Sequence, residues 1–331
     1  MTSERKGITV AGSLIADVVY TTDTYPKEGF LANIRETNWN VGGSGNLILD
    51  LAKMDPSLKV NVSAIIGEDE AGKMLWDTLG SYSNINTANV TCGGKSSVTH
   101  VIHPLDTKQR TFFFQGEASN RYDISSIDWA KISSELFVLE YLLLMERVDA
   151  PDAEYGTHGA RILCEAKKHG MKTAIDMVSE QGERARTVVC PALKYTDYCI
   201  INELEAEAIT GISVTEENVG AVLCAIRDLG VSEWIVIHTS AGAYGLDCTQ
   251  EEIVYVPSLK LPKDYIKGNT GAGDAFCAGI LYGRYTEMPL KKAMRFAAAA
   301  AACSLSEQNG TDGLREEAKI WELETKFMKQ A

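Results

Sequence analysis

Hydrophobic and polar positions along the chain alternate between two periods. Compact apolar or β-branched runs at residues 8–11, 60–66, 142–145, 173–176, 198–201, 234–238 and 253–256 predict strands. Between them, residues 45–54, 71–81, 157–169, 203–210, 216–229, 273–285 and the alanine-rich 290–305 carry helical spacing. In the first of these, Leu47, Leu51 and Met54 fall on one face. Repeated β-α alternation predicts an α/β fold: a mostly parallel sheet with helices on both faces.

Two stretches break that rhythm. Residues 14–40 and 96–115 contain no plausible crossover helix, and in the second the turn-like Leu105-Asp106-Thr107-Lys108 separates two runs with β-branched and aromatic content. They predict a small antiparallel flap inserted into the α/β body, and an insert of this kind beside a pocket usually closes over a ligand. The chain thus divides into a body (1–13, 41–95 and 116–331) and a β lid (14–40 and 96–115). A length of 331 residues fits two domains or one large unit with an inserted piece. The mixed charges after Asp312 predict an exposed terminal helix.

Composition narrows the chemistry more than the fold. With 32 Lys and Arg against 45 Asp and Glu, the formal charge is −13, and the bases are scattered. That argues against nucleic-acid or anionic-membrane partners, while a locally positive nucleotide pocket stays compatible with it. The cysteines at 92, 164, 190, 199, 224, 248, 277 and 303 form no C-x-x-C pair, which fits reduced thiols of a cytoplasmic protein. Met1 to Gly7 leads straight into the first predicted strand with no apolar signal region. The longest apolar stretches fall well short of the roughly 18 residues of a membrane helix.

The most informative run is Gly268 to Phe276, GNTGAGDAF, which follows the extended stretch 259–265 and opens a predicted helix. Its glycines permit a tight turn, and the amides of Gly271, Ala272 and Gly273 converge at the positive end of the helix dipole, an anion site suited to a phosphoryl group. Asp274 sits beside that site. A carboxylate there is electrostatically costly unless it has a task, and the natural one is accepting a proton from an attacking hydroxyl. Without that chemistry the run is a glycine-rich connection with Asp274 at a helix start.

A second glycine cluster, residues 40–46, also leads into a helix. Asn46 is placed there to meet hydroxyls as donor and acceptor, and Asp17 follows the first strand, near where strand C-terminal ends gather ligands. Each also reads as an ordinary feature, Asn46 as a helix cap and Asp17 as a solvated loop acid. Asn202 and Glu205 share a helix end after strand 198–201, where they could hold a hydrated Mg²⁺ through water or simply close a reciprocal helix cap.

Several look-alikes are excluded. Gly67 to Met74 matches G-x-x-x-x-G-K but ends in Met74, lacking the metal-binding hydroxyl, and its three acids would face the phosphates. No G-x-G-x-x-G follows strand one, against a dinucleotide dehydrogenase. Asn46 breaks the G-x-S-x-G elbow of a serine hydrolase. His100 and His103 have no companion metal ligands, and Phe112, Phe113 and Phe114 pack the flap, with one ring in reach of a substrate on closure.

With GNTGAGDAF, the Gly42-Gly43 pair and Asn202-x-x-Glu205 in this order, the chain resembles the ribokinase-like, PfkB-type carbohydrate kinases from Gly7 to about Leu314. The resemblance implies a three-layer α/β/α body with a mostly parallel sheet and a small inserted β-sheet lid. It further implies that the protein binds ATP with Mg²⁺ and phosphorylates a sugar or nucleoside hydroxyl. By matching positions, it makes Asp274 the general base and Gly271, Ala272 and Gly273 the anion hole. Asp17, Gly43 and Asn46 become the grip on substrate hydroxyls, and Asn202 and Glu205 the organisers of Mg²⁺ and phosphate. Thr239 to Gly242 and the helix at 297–304 flank the nucleotide base. Lid closure then excludes water and suppresses ATP hydrolysis. A homodimer through the lid edges is implied as well.

Some positions depart from the family pattern. Gly268 replaces the Asp usual six positions before the base, which weakens the case for a monovalent cation near the anion hole. Asn46 lies only three positions after Gly43, Ser44 is atypical, and Thr239 replaces the first Gly of the nucleotide-side T-x-G-x-x-G stretch. The leading expectation is a kinase for a terminal hydroxyl of a ketohexose, ribose or 2-keto-3-deoxygluconate. A nucleoside kinase, stacking a base on Phe112 or Phe114, is the nearest alternative. A non-catalytic sugar- or nucleotide-binding regulator is the third, against which the intact GAGD weighs.

Overall fold

The computed structural model describes residues 6–107, 109–180, 183–268 and 270–328, so Lys108 of the expected turn and Asn269 of the glycine-rich run lie outside the described residues. The chain starts with β1 (Ile8–Gly12), β2 (Leu14–Thr22) and β3 (Ile34–Gly43). It continues through α1 (Ser44–Met54), β4 (Val60–Ile66), α2 (Glu70–Gly80), β5 (Ile85–Cys92), β6 (Ser97–Pro104) and β7 (Thr111–Gln115). After α3 (Glu117–Arg121) come β8 (Leu136–Leu142), α4 (Glu146–Asp149), a short pairing of β9 (Pro151–Asp152) with β10 (Gly156–Thr157), and α5 (His158–Lys168). The next units are β11 (Lys172–Met177), α6 (Arg184–Leu193), β12 (Tyr198–Asn202), α7 (Glu203–Thr210), α8 (Val219–Asp228) and β13 (Trp234–His238). The chain closes with β14 (Gly242–Asp247), β15 (Glu252–Pro257), α9 (Ala272–Tyr285), α10 (Leu290–Ser304) and α11 (Glu317–Met328).

Nine strands form the large sheet in the order β15-β14-β13-β12-β11-β8-β1-β4-β5, parallel from β5 to β13 and antiparallel at the β14 and β15 edge. Central strands are buried on both faces, which is why they read as continuous apolar runs. Alternate residues of each strand feed opposite cores. In β8, Leu136 and Val138 pack with α1, α9 and α10, whereas Phe137 and Leu139 pack with α5, α6 and α8. The fold is therefore the expected α/β arrangement, with helices on both faces of a mostly parallel sheet.

The second sheet, β3-β2-β6-β7, is separate from the first. It is mixed rather than antiparallel: β2 pairs antiparallel with β3, β6 with β7, and β2 runs parallel to β6. After β3 the chain leaves to build α1 through β5 and then returns, so β6 enters in the direction of β2. Other expectations shift for local reasons. The strand expected at 142–145 is Leu136–Leu142, because Glu140 interrupts the apolar run and hides its earlier half. Strand β14, carrying Gly242 and Gly245, and helix α6, with Pro191 inside it, were not expected from the pattern. Among the described residues no helix is long and apolar enough to cross a membrane.

Helices α9 and α10 lie in close contact, and this packing fixes where α9 begins. A Cβ on Gly279 would sit 2.5 Å from the Ala297 Cα, and one on Gly283 would sit 2.6 Å from the Ala293 Cβ. Gly279→Ala is therefore expected to destabilise the fold by about 1–3 kcal/mol, as overpacking a tight core does. Urea unfolding reads this as a lowered midpoint; an unchanged midpoint contradicts the close approach.

Candidate active site

The C-terminal ends of β8, β11, β12 and β13 meet the N-termini of α1, α7 and α9 beside the small sheet, the place where open α/β sheets gather ligands. Gly271 caps α9 with φ 77°, and a Cβ there would lie 2.4 Å from the Gly310 Cα, so the turn accepts only glycine. The first amides of a helix have no intrahelical acceptor. Here they open onto two adjoining cavities. Ala272 and Gly273 line the larger, of about 640 Å³, while Gly273, Asp274 and Thr270 line a smaller one of about 360 Å³. Gly271 lines neither and is tucked against Gly310.

Asp274 is held from two sides. The Tyr141 hydroxyl donates to its Oδ1, and Asn46 Nδ2 donates to its Oδ2 at 3.0 Å. Its surroundings of protein raise the pKa above the ordinary carboxylate range, and the two hydrogen bonds partly offset that rise. Asp17, Gly43 and Asn46 share the wall of the smaller cavity with Asp274. In the small sheet, Asp17 stands opposite Asn40 of β3 and Thr99 of β6. Burial pushes its carboxyl up to about 6 against the lowering effect of the Thr99 hydroxyl; the charge of Asp274 adds to the rise and Arg110 opposes it.

Asn202 and Glu205 do form the reciprocal cap of α7. The Asn202 Oδ1 accepts from the Glu205 amide and Glu205 Oε2 accepts from the Asn202 amide, both at 2.9 Å. Ser179 Oγ joins them, donating to Glu205 Oε1 at 2.7 Å and accepting from Asn202 Nδ2 at 2.9 Å. Glu205 is buried, which raises its carboxyl to about 7, yet both residues line the smaller cavity together with Asp176. The cap therefore fixes a set of oxygen donors at the cavity wall. Asp176 is itself pushed well above the usual range by burial, and the Glu205 and Asp274 charges add to it.

The larger cavity is mostly apolar. Val256, Leu259, Leu261 and Ile266 form one side, and Ala298, Ala301 and Ala302 of α10 with Leu305 form another. Thr239 and Gly242 lie at its edge, but the Thr239 side chain builds the turn between β13 and β14, its hydroxyl accepting from the Gly242 amide at 3.2 Å. The slot suits a flat aromatic ligand portion, and the α9 amides at its inner end suit an anionic tail. Asn202, His238 and Gly273 line both cavities and mark where a group would pass between them.

All the residues singled out from the sequence thus gather around these two cavities or the α9 turn between them. Four further residues escaped sequence reasoning: Tyr141, Asp176, His238 and Arg110. The first three stand at C-terminal strand ends, a positional signal the pattern contained but residue type did not flag. Arg110 reaches from the small sheet to the Thr270 hydroxyl and, at 2.9 Å, to the Gln308 carbonyl, tying that sheet to the α9 turn.

The arrangement suits moving an anionic group from a ligand in the larger slot to a hydroxyl in the smaller cavity, where the carboxylates stand. Comparison with known proteins points the same way. The family model described as pfkB family carbohydrate kinase matches residues 5–317. The deoxyribokinase of Salmonella typhi is 26% identical over 300 residues, covering 88% of this chain and 91% of that protein. The 2-dehydro-3-deoxygluconokinase of Escherichia coli K12 is 25% identical over 244 residues, covering 71% and 77%. In fold, the chain is similar to the structure of Arabidopsis thaliana ribokinase complexed with ribose and ATP, with a TM-score of 0.80, 20% identity and coverage of 97% and 99%.

A hydrogen bond to a carboxylate favours its charged form. Tyr141→Phe removes one of the two on Asp274, so the pKa of Asp274 is expected to rise further. A ¹³C carboxyl titration, with Asp274→Asn used to assign the resonance, measures this. An unchanged midpoint contradicts the coupling.

Proposed function

The chain belongs to the pfkB family of carbohydrate kinases, and from that premise we propose that it transfers the terminal phosphoryl group of ATP to a terminal hydroxyl of a small sugar or sugar acid. Substrates of the ketohexose, ribose or 2-keto-3-deoxygluconate class fit this reading. The observation that carries it is the placement of Asp274 at the smaller cavity, one residue after Gly273, which borders both cavities. ATP binds with its base in the apolar slot and its phosphates toward the α9 amides.

The acceptor hydroxyl lies against Asp274. As it attacks in line, a bond forms between its oxygen and the terminal phosphorus, the bond to the ADP oxygen breaks, and the proton passes to the Asp274 carboxylate. Asn46 and Tyr141 hold that carboxylate in place, and the amides of Ala272 and Gly273, which border the cavities, stabilise the charge on the phosphoryl oxygens, with Gly271 shaping the turn that presents them. Asp17, Gly43 and Asn46 grip the other acceptor hydroxyls. Asn202, Glu205 and Asp176 with Ser179 supply an oxygen-only donor set, which fits Mg²⁺ held through its water shell; when bound, the ion neutralises phosphate charge. The small sheet acts as a lid, with Arg110 as its tie to the body, and its closure keeps water from the phosphoryl group.

A nucleoside acceptor is the second reading. It is favoured by Phe112 and Phe114, which line the acceptor cavity and offer rings for a base.

ADP formation with ATP and Mg²⁺ across hexoses, pentoses, sugar acids and nucleosides decides between them. A signal with sugars or sugar acids that Asp274→Asn lowers by roughly two to four decades, with ATP binding retained, is the expected result. Near-normal turnover in that variant removes Asp274 from the chemistry. Asp17 accepts hydrogen bonds from hydroxyls most strongly as a carboxylate, and its pKa is raised to about 6, so acceptor kcat/KM should fall as pH drops through that value. A profile whose limb near 6 persists in Asp17→Asn contradicts this assignment.

A further inference from the structure

His238 ends β13 at the point where the two cavities meet, and its environment does not explain it as a packing residue alone. It pairs in register with Asn202 on the neighbouring strand, so the two side chains leave the sheet side by side at the phosphate end of the slot. A Cβ placed on Gly273 would lie 3.6 Å from the His238 Cε1 and 3.9 Å from its Nε2, which puts the imidazole directly against the first turn of α9. Phe276 flanks the ring, with centroids 5.2 Å apart. Among the described residues no side chain or backbone group hydrogen-bonds to either ring nitrogen. The ring is half-buried and its nitrogens reach the cavities, so an N–H there is free to meet a ligand oxygen.

We propose that His238 donates a ring N–H hydrogen bond to the phosphoryl group in transit, acting with the α9 amides as a further stabiliser of the developing charge. This role rests on the kinase reading above and adds to it a residue outside the glycine-rich turn. A neutral imidazole has one donor and one acceptor nitrogen, so it can turn its N–H to a phosphoryl oxygen without bringing a full charge to the site. Burial favours that form, lowering the pKa of His238 to about 4, and no carboxylate is paired with the ring to restore a charge. The position suits the transferred group better than the leaving ADP, because the ring borders the acceptor cavity as well as the slot. No bond to His238 forms or breaks in the reaction.

Two measurements test this, and only one needs an acceptor. In protein labelled with ¹⁵N-histidine, the five histidines are resolved and His238 is assigned by the His238→Gln spectrum. Its ring resonances should shift on binding the imido analogue of ATP, and much less with ADP. Equal shifts with both nucleotides, or none while the nucleotide binds, overturn the proposal. With an acceptor from the substrate panel, His238→Ala should lower kcat by about a hundredfold, the order for losing one preorganised donor. The KM of the acceptor should stay within about twofold, and His238→Asn, which keeps an N–H donor, should recover part of the loss. A kcat for His238→Ala within twofold of the parent overturns the role even where the kinase reading stands. Failure of both nucleotides to bind sinks the kinase reading itself and this role with it. A silent acceptor panel leaves the spectral result to decide.

Discussion

On the kinase reading, a carboxylate has to coexist with an anion site on one turn of helix, and the surrounding structure is arranged around that constraint. Asp274 and the amides of residues 271–273 attract opposite kinds of partner within a few ångströms of each other. The conflict is contained by position. The left-handed Gly271 packs against Gly310, Gly273 opens to both cavities, and the Asp274 side chain turns into the smaller one, where Tyr141 and Asn46 hold it. Close packing of α9 on α10 fixes the helix that carries the turn, and α10 also walls the apolar slot. Packing and chemistry are thus linked through one helix.

The same logic extends to the other acids. Asp17, Asp176 and Glu205 all line the smaller cavity, and burial raises the pKa of each. Acids with raised folded pKa values bind protons more readily in the native state, so at neutral pH their ionisation works against folding. Their retention at one cavity makes functional sense only where hydroxyls, hydrated metal or phosphate can use the oxygens. Glu205 serves both ends, since the cap of α7 fixes its carboxyl while its position keeps it at the wall.

Much of this was legible in the residues alone, for physical reasons. Parallel strands buried on both faces leave apolar runs that survive averaging, so the body could be read; the small sheet could be read as an interruption of the rhythm. Its mixed strand directions could not, because they depend on where the chain re-enters after β5. Within the site, glycine-rich turns announce themselves through backbone requirements. Tyr141 does not: it sits in the run Glu-Tyr-Leu-Leu-Leu, and only the true end of β8 at Leu142 aims it at Asp274. Asp176 and His238 close the expected strands 173–176 and 234–238, and the apolar pattern gives neither a role. In a parallel sheet, however, the last residue of a strand is where side chains leave the core for the ligand crevice.

In the proposed reaction, one turn of α9 receives the phosphoryl group on one side and the acceptor hydroxyl on the other. This is tested most directly by a crystal structure with the imido analogue of ATP and an acceptor bound together. The terminal phosphoryl is expected against the amides of Ala272 and Gly273, with the acceptor hydroxyl within about 3.2 Å of the Asp274 carboxylate and in line with the phosphorus. A hydroxyl held instead against another carboxylate such as Asp17, or a terminal phosphoryl lying away from α9, would contradict it.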